Sequence, residues 1–428
     1  MAVFGFHLVL TMIAAVIFNK TAQCHFLCDL LFFKGLGYFV LESSVLSELN
    51  ACESENKRRR KKEKDFLRIG GNDRLVKLPL SCDALQRVPF FDSLILIVNY
   101  SFFAFFVFLI SDAFCLLFPE SKAVNTSAIW VVGALVLQIY IIAKISLQKI
   151  AASELLTERN TLLCASALFF LLAITFCAFS NKIVDLNFDR GYSQFVVSLD
   201  HFLLANGFGH LFSSDFHSPL MLMLSLSLLY ALVASAMFFP LLQFSSLYIH
   251  SDECSVSFRF LLHFAFFAPF LIVLLFLRPI SDHLIENDFL SFAQLRMLRF
   301  VSVLFWVILR IATAKVILQT FLNRPKMQMT DYGKDSKENS QKKVAFFASY
   351  VCVTSLQYIL PVLATLSTAL LLKCFDRFAN GETEHQTIQS VILNYKLQEP
   401  IWNFSLISLL FTQFFVGLIG IIGERSFG

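Results

Sequence analysis

Four charged residues stand inside or at the edge of stretches that are otherwise apolar: Asp112, Arg299, Arg310 and Lys315. Arg310 is the most demanding. It sits in the middle of FVSVLFWVILRIATAKVILQTF, a run long and apolar enough to cross a bilayer. On insertion scales a charge at the bilayer centre costs about 2.5–3.5 kcal/mol. Such a residue needs a partner, a wet cavity or a buried bundle interior. Asp112 is the acidic residue deepest in an apolar run, so it is the expected partner. The two differ in depth by about 6–9 Å, which the arginine stem and a bridging group such as Asn99 can close. The chemistry open to the pair is a structural ion bridge or a gate on an ion path. Lys315 lies about 140° around the helix from Arg310 and is expected to snorkel toward the interface.

The elements that must position these charges are membrane spans. Of 428 residues, 57% are hydrophobic and 15% charged, and phenylalanine alone supplies 51. Mean hydropathy is +0.68. A soluble fold has no interior large enough for that much aromatic surface, whereas a bilayer accommodates it. The reading is an all-α, polytopic helical membrane protein with about nine transmembrane spans. A signal-anchor span occupies residues 1–18. A basic cytosolic loop follows over 19–90. Residues 91–428 form an eight-span helical membrane domain with a second basic cytosolic loop at 323–343. The eight spans are expected near 94–115, 128–147, 161–180, 219–239, 260–277, 299–321, 344–372 and 401–422. Pro269, Pro279 and Pro361 are expected to kink helices, because proline frees a backbone carbonyl one turn back. Pro240 is expected to close the fifth span.

Charge sets the orientation. The first apolar stretch has no basic residue before it, and Lys20, Lys34 and the run Lys57, Arg58, Arg59, Arg60, Lys61 and Lys62 follow. An uncleaved anchor with its N-terminus outside is therefore expected. The basic run is expected to hold its loop in the cytosol and to attract anionic lipids. Asn125, in the sequon Asn125-Thr126-Ser127, then falls in the lumen as a glycosylation site. Between the fourth and fifth spans, Phe195, Leu199, Phe202 and Leu203 recur at helical spacing. They predict an amphipathic helix in the interface that ends at Asn206-Gly207.

Other chemistry finds little support. His201, His210 and His217 have no metal-ligand spacing, and the cysteines fit neither a zinc site nor a disulfide framework. Cys115, Cys164, Cys177 and Cys352 read as small apolar residues in spans, and Cys24 with Cys28 as a palmitoylation candidate. No HExxH, GxSxG or GxxxxGK(S/T) motif occurs, so neither an enzyme nor a cofactor is expected. The formal net charge of +4 gives no argument for nucleic acid.

Several long motifs carry a resemblance. MAVFGFHLVLTM at the start, APFLIVLLFLRPI from Ala268, LRIATAK through Arg310 to Lys315, LQTFLN from Leu318 and LQYILPVLATLSTALLLK from Leu356 resemble the transmembrane protein 161 family. So does the placement of Asp112 ahead of Asn125. The likeness runs in order through most of the chain and is weak in 21–90 and 374–400. It implies a multi-pass membrane protein, at the plasma membrane or an endomembrane, with no catalytic site. It further implies control of membrane excitability through ion currents, with ion-channel proteins as partners, and a role in cell survival under oxidative stress. Asp112, Arg299, Arg310, Lys315 and the three prolines match the family's motifs. Three function classes remain: a regulator of ion currents, a channel or transporter in its own right, and a multi-span chemoreceptor.

Overall fold

The computed structural model describes residues 6–41, 66–68, 74–118, 127–152, 156–184, 186, 188–207, 219–251, 255–331, 337–376 and 395–427. Asn125 and the basic run at 57–62 lie outside them. Eight of its helices are long and apolar enough to cross a membrane, and an N-terminal pair bent by 78° makes a ninth if counted as one span.

That pair is α1 (Phe6–Thr21) and α2 (Phe26–Phe33). α1 runs antiparallel to α4 (Phe91–Leu117): His7 lies 2.8 Å from the Ser111 hydroxyl, and Phe18 meets Tyr100 edge to face. A break at membrane depth would strand backbone carbonyls in an apolar medium. Asn99, buried on α4, caps them. Its side-chain amide donates to the carbonyls of Thr21, Ala22 and Cys24 at 3.3, 3.0 and 3.0 Å.

The segment read as a featureless basic loop contains structure at both ends. β1 (Gly37–Leu41), β2 (Phe66–Arg68) and β3 (Arg74–Pro79) form an antiparallel sheet in the order β1-β3-β2, with Val40 opposite Val76. A short helix, α3 (Cys82–Leu85), follows. Phe32, Phe33, Leu36, Phe39, Val76 and Leu80 are buried. The Gln319 side chain makes two 3.0 Å hydrogen bonds to Gly37, accepting from its N–H and donating to its carbonyl. Gly37 suits this close docking, because a Cβ there would collide with the Lys77 side chain. Cys28 is buried in the same layer while Cys24 is exposed, so a paired lipid anchor at these two thiols does not fit.

The remaining helices are α5 (Ser127–Ala152), α6 (Leu156–Ile183), α7 (Phe188–Ala205), α8 (Leu220–Ile249), α9 (Val256–Leu274), α10 (Arg278–Glu286), α11 (Phe292–Asp331), α12 (Lys337–Asp376) and α13 (Tyr395–Phe427). α7 is the expected amphipathic helix, and it stops at Gly207, whose φ of 79° ends the helical turn. α12 is the bundle's axis: 83% of its membrane window is buried inside the protein.

Three boundaries depart from the sequence reading. Pro240 does not close a span; α8 continues through it to Ile249. Its missing N–H leaves the Ala236 carbonyl without an intrahelical donor, and Ser146 of α5 donates to that carbonyl at 2.6 Å. The basic loop at 323–343 is largely helical, because α11 passes through Pro325 to Asp331 and α12 starts at Lys337. Pro279 kinks no span. It lies in the first turn of the separate short helix α10, where an N–H has no intrahelical acceptor in any case. Pro269 and Pro361 lie inside α9 and α12 as expected.

Candidate functional site

Arg310 lies on α11 where it meets α8 and α12, and only 2% of its surface is exposed. Its guanidinium carbon is 3.9 Å from the ring centroid of Phe244 on α8 and 4.6 Å from that of Tyr358 on α12. The two rings hold the cation between them. Each cation–π contact contributes about 0.5–2 kcal/mol, so two together are comparable with the cost of placing arginine at mid-membrane.

The cage is held from outside. The Tyr358 phenol donates to the Arg310 carbonyl at 2.6 Å, and the Thr313 hydroxyl lies 3.0 Å from the same phenol. Phe244 stacks on Phe266 of α9 at 6.3 Å between centroids, and Phe266 lies against Phe414 of α13. Five helices therefore fix the position of one charge. The Arg310 Nε is buried without a hydrogen-bond partner.

Asp112 is not in this cage, and no ion pair joins Arg310 to a carboxylate among the described residues. The expected pairing fails on depth. Phe108 of α4 meets Phe300 of α11, and the two helices run in opposite directions. Measured from that contact, Asp112 and Arg310 lie on opposite sides, about 21 Å apart along the helix axes at 1.5 Å per residue. No arginine stem covers that distance.

The other charges separate as well. Lys315 is half-buried, on a different face from Arg310, as expected. Arg299, two turns into α11, donates from Nε to the Leu275 carbonyl at 3.0 Å and lies 4.7 Å over the Phe276 ring. That carbonyl belongs to the break between α9 and α10, so Arg299 seals a helix end. His201 is exposed, and among the described residues no three His, Cys, Asp or Glu side chains converge as a metal site.

Sequence reasoning missed the groups that matter most to Arg310. Phe244 is one of 51 phenylalanines and carries no distinguishing signal. Tyr358 was the better clue, since a phenol inside a span must find an acceptor. The rest of the interior is stitched by neutral polar groups. Gln138 donates to Ser101 at 3.0 Å and accepts from Ser367 at 3.1 Å, Gln413 donates to Thr365 at 2.8 Å, and Tyr230 meets Thr412. Such bonds join membrane helices that have no hydrophobic drive to associate.

A family model described as predicted transmembrane protein 161AB matches residues 2–405. No solved structure matches the chain.

Proposed function

The chain belongs to the transmembrane protein 161AB family, and from that premise and the caged arginine we propose that it is a non-enzymatic membrane protein that modulates ion currents carried by partner channels. The supporting observation is the fixed charge of Arg310 inside a bundle whose axial helix is enclosed by protein. A guanidinium opposes a monovalent cation 5 Å away by about 3 kcal/mol at an effective dielectric constant of about 20. Pores use fixed arginines in this way to exclude cations. A bundle built around such a charge is suited to altering a neighbouring channel and ill suited to carrying cations itself. In this reading Asn125 is a lumenal glycosylation site, residues 57–62 contact anionic lipid of the inner leaflet, and survival under oxidative stress follows from altered currents.

A conducting protein is the second reading, and the orphaned Arg310 Nε favours an anion as its cargo. One pair of measurements separates the two. Purified protein in liposomes is expected to pass neither potassium nor chloride, while its expression in a cell under voltage clamp changes the amplitude of currents already present. Potassium flux in liposomes overturns the proposal. Chloride flux that disappears in Arg310→Met establishes the second reading.

A further inference from the structure

A cleft of about 40 Å³ opens at the end of the bundle where α11 and α13 begin and α12 finishes. Arg296 and Arg299 of α11, Lys373 of α12, and Glu399 and Asn403 of α13 line its polar side. Phe276, Phe300 and Leu406 form its apolar floor. We propose that this cleft is a phospholipid site. The phosphodiester is held by Arg299 and Lys373, and the start of one acyl chain lies along Phe276, Phe300 and Leu406.

Three observations carry the assignment. The first is charge: three cationic groups face one carboxylate, leaving the cleft positive. Glu399 is engaged by Arg296 at 3.8 Å, which leaves the Arg299–Lys373 side as the more positive part. The second is fixation. The Nε bond from Arg299 to the Leu275 carbonyl and the contact with the Phe276 ring hold its guanidinium at the mouth of the cleft. The third is depth. Arg296 and Arg299 lie in the first two turns of α11, Lys373 in the last turn of α12 and Glu399 in the second turn of α13. All are therefore at the level where an apolar span meets headgroups. Basic pockets between membrane helices at that level recognise lipid phosphate, and guanidinium groups suit it geometrically. The graded lining, charged at the mouth and aromatic beneath, matches a lipid better than a free anion. None of these groups contributes to the Arg310 cage, so the inference stands apart from the proposed effect on currents.

The test uses the full purified chain in a neutral detergent, with melting followed as phosphatidylglycerol, phosphatidylcholine, uncharged diacylglycerol or inorganic phosphate is added. Both phospholipids are expected to raise the melting temperature, and neither diacylglycerol nor phosphate does so. Arg299→Gln with Lys373→Gln is expected to weaken lipid binding about tenfold or more, the scale of one lost charge-assisted hydrogen bond. Because Arg299 also seals a helix end, Lys373→Gln is measured alone too; it leaves that seal intact and is expected to lower lipid affinity. A photoreactive side chain in place of the half-exposed Phe292, beside the mouth, is expected to capture phospholipid on the wild-type background. Equal stabilisation by inorganic phosphate reassigns the cleft to a free anion and overturns the lipid site. Unchanged lipid affinity in both variants, or no capture at position 292, also overturns it.

Discussion

The indole of Trp306 donates its Nε1–H to the carbonyl of Ala265 at 3.0 Å. Ala265 is four residues before Pro269, so this is the carbonyl that the proline deprives of its intrahelical donor. Ser146 and Ala236 stand in the same relation to Pro240. In both cases a neighbouring helix supplies the proton that the proline cannot, and a helix-breaking residue becomes a point of attachment between spans.

Trp306→Phe keeps a ring in the core and leaves the Ala265 carbonyl unsatisfied. It is expected to lower stability in detergent by about 1–3 kcal/mol, the cost of an orphaned buried acceptor. Pro269→Ala restores the backbone N–H within α9. In that background Trp306→Phe is expected to cost clearly less, which a double-mutant cycle on melting midpoints reads directly. Additive losses would show that the indole does not serve the proline.

Asn99 is expected to hold the α1–α2 break closed. Asn99→Leu removes the donor to three carbonyls in an apolar setting. Hydrogen exchange at residues 21–25 is expected to rise, and protease protection of the segment from α2 to β1 to fall. Asn99→Asp, a close isostere that cannot donate when ionised, is expected to behave in the same way.

Arg310→Met conserves much of the side-chain length and removes the charge. Because no carboxylate is stranded by the change, folded yield is expected to equal or exceed that of the parent. Current modulation is expected to be lost. Arg310→Met and Asp112→Asn are expected to be additive in stability, given their axial separation. A strong coupling between them in the double mutant would show that the two charges communicate.

α13 approaches α8 closely at Gly417 and Gly420. A Cβ on Gly420 would lie 2.6 Å from the Ser245 Cβ, and Ser245 donates to the Gly417 carbonyl at 2.9 Å. Gly420→Ala is therefore expected to overpack this crossing, at about 1–3 kcal/mol. Ser245→Gly removes the opposing atom and is expected to recover part of the loss in thermal midpoint.

Much of the fold was legible because membrane spans announce themselves as long apolar runs, and an amphipathic helix such as α7 keeps a simple period. The ends of α8 and α11 were not. Pro240 reads as a stop until Ser146, far away in sequence, is seen to occupy the vacated carbonyl. The sheet escaped because its strands are three to six residues long and a charge run separates β1 from its partner β3. At the candidate site Arg310 was legible and its partners were not. A charge inside an apolar run suggests an opposite charge, and Asp112 was the available one. Aromatic rings solve the same electrostatic problem without leaving a signal, because in this chain phenylalanine is everywhere.

The burial of α12 has a consequence for how the protein is made. It is the least apolar of the eight long spans and the one most enclosed by protein in the finished bundle. It is also among the last to be synthesised. By the time it leaves the ribosome, α4, α5, α8 and α11, which line its place, are already in the membrane. Its threonines, serines and glutamines enter a waiting polar groove instead of bare lipid. α13, the one span still to come, then closes the open side. A truncation that stops after α12 would leave the most polar span facing lipid on that side, and quality control in the cell would meet it at that step.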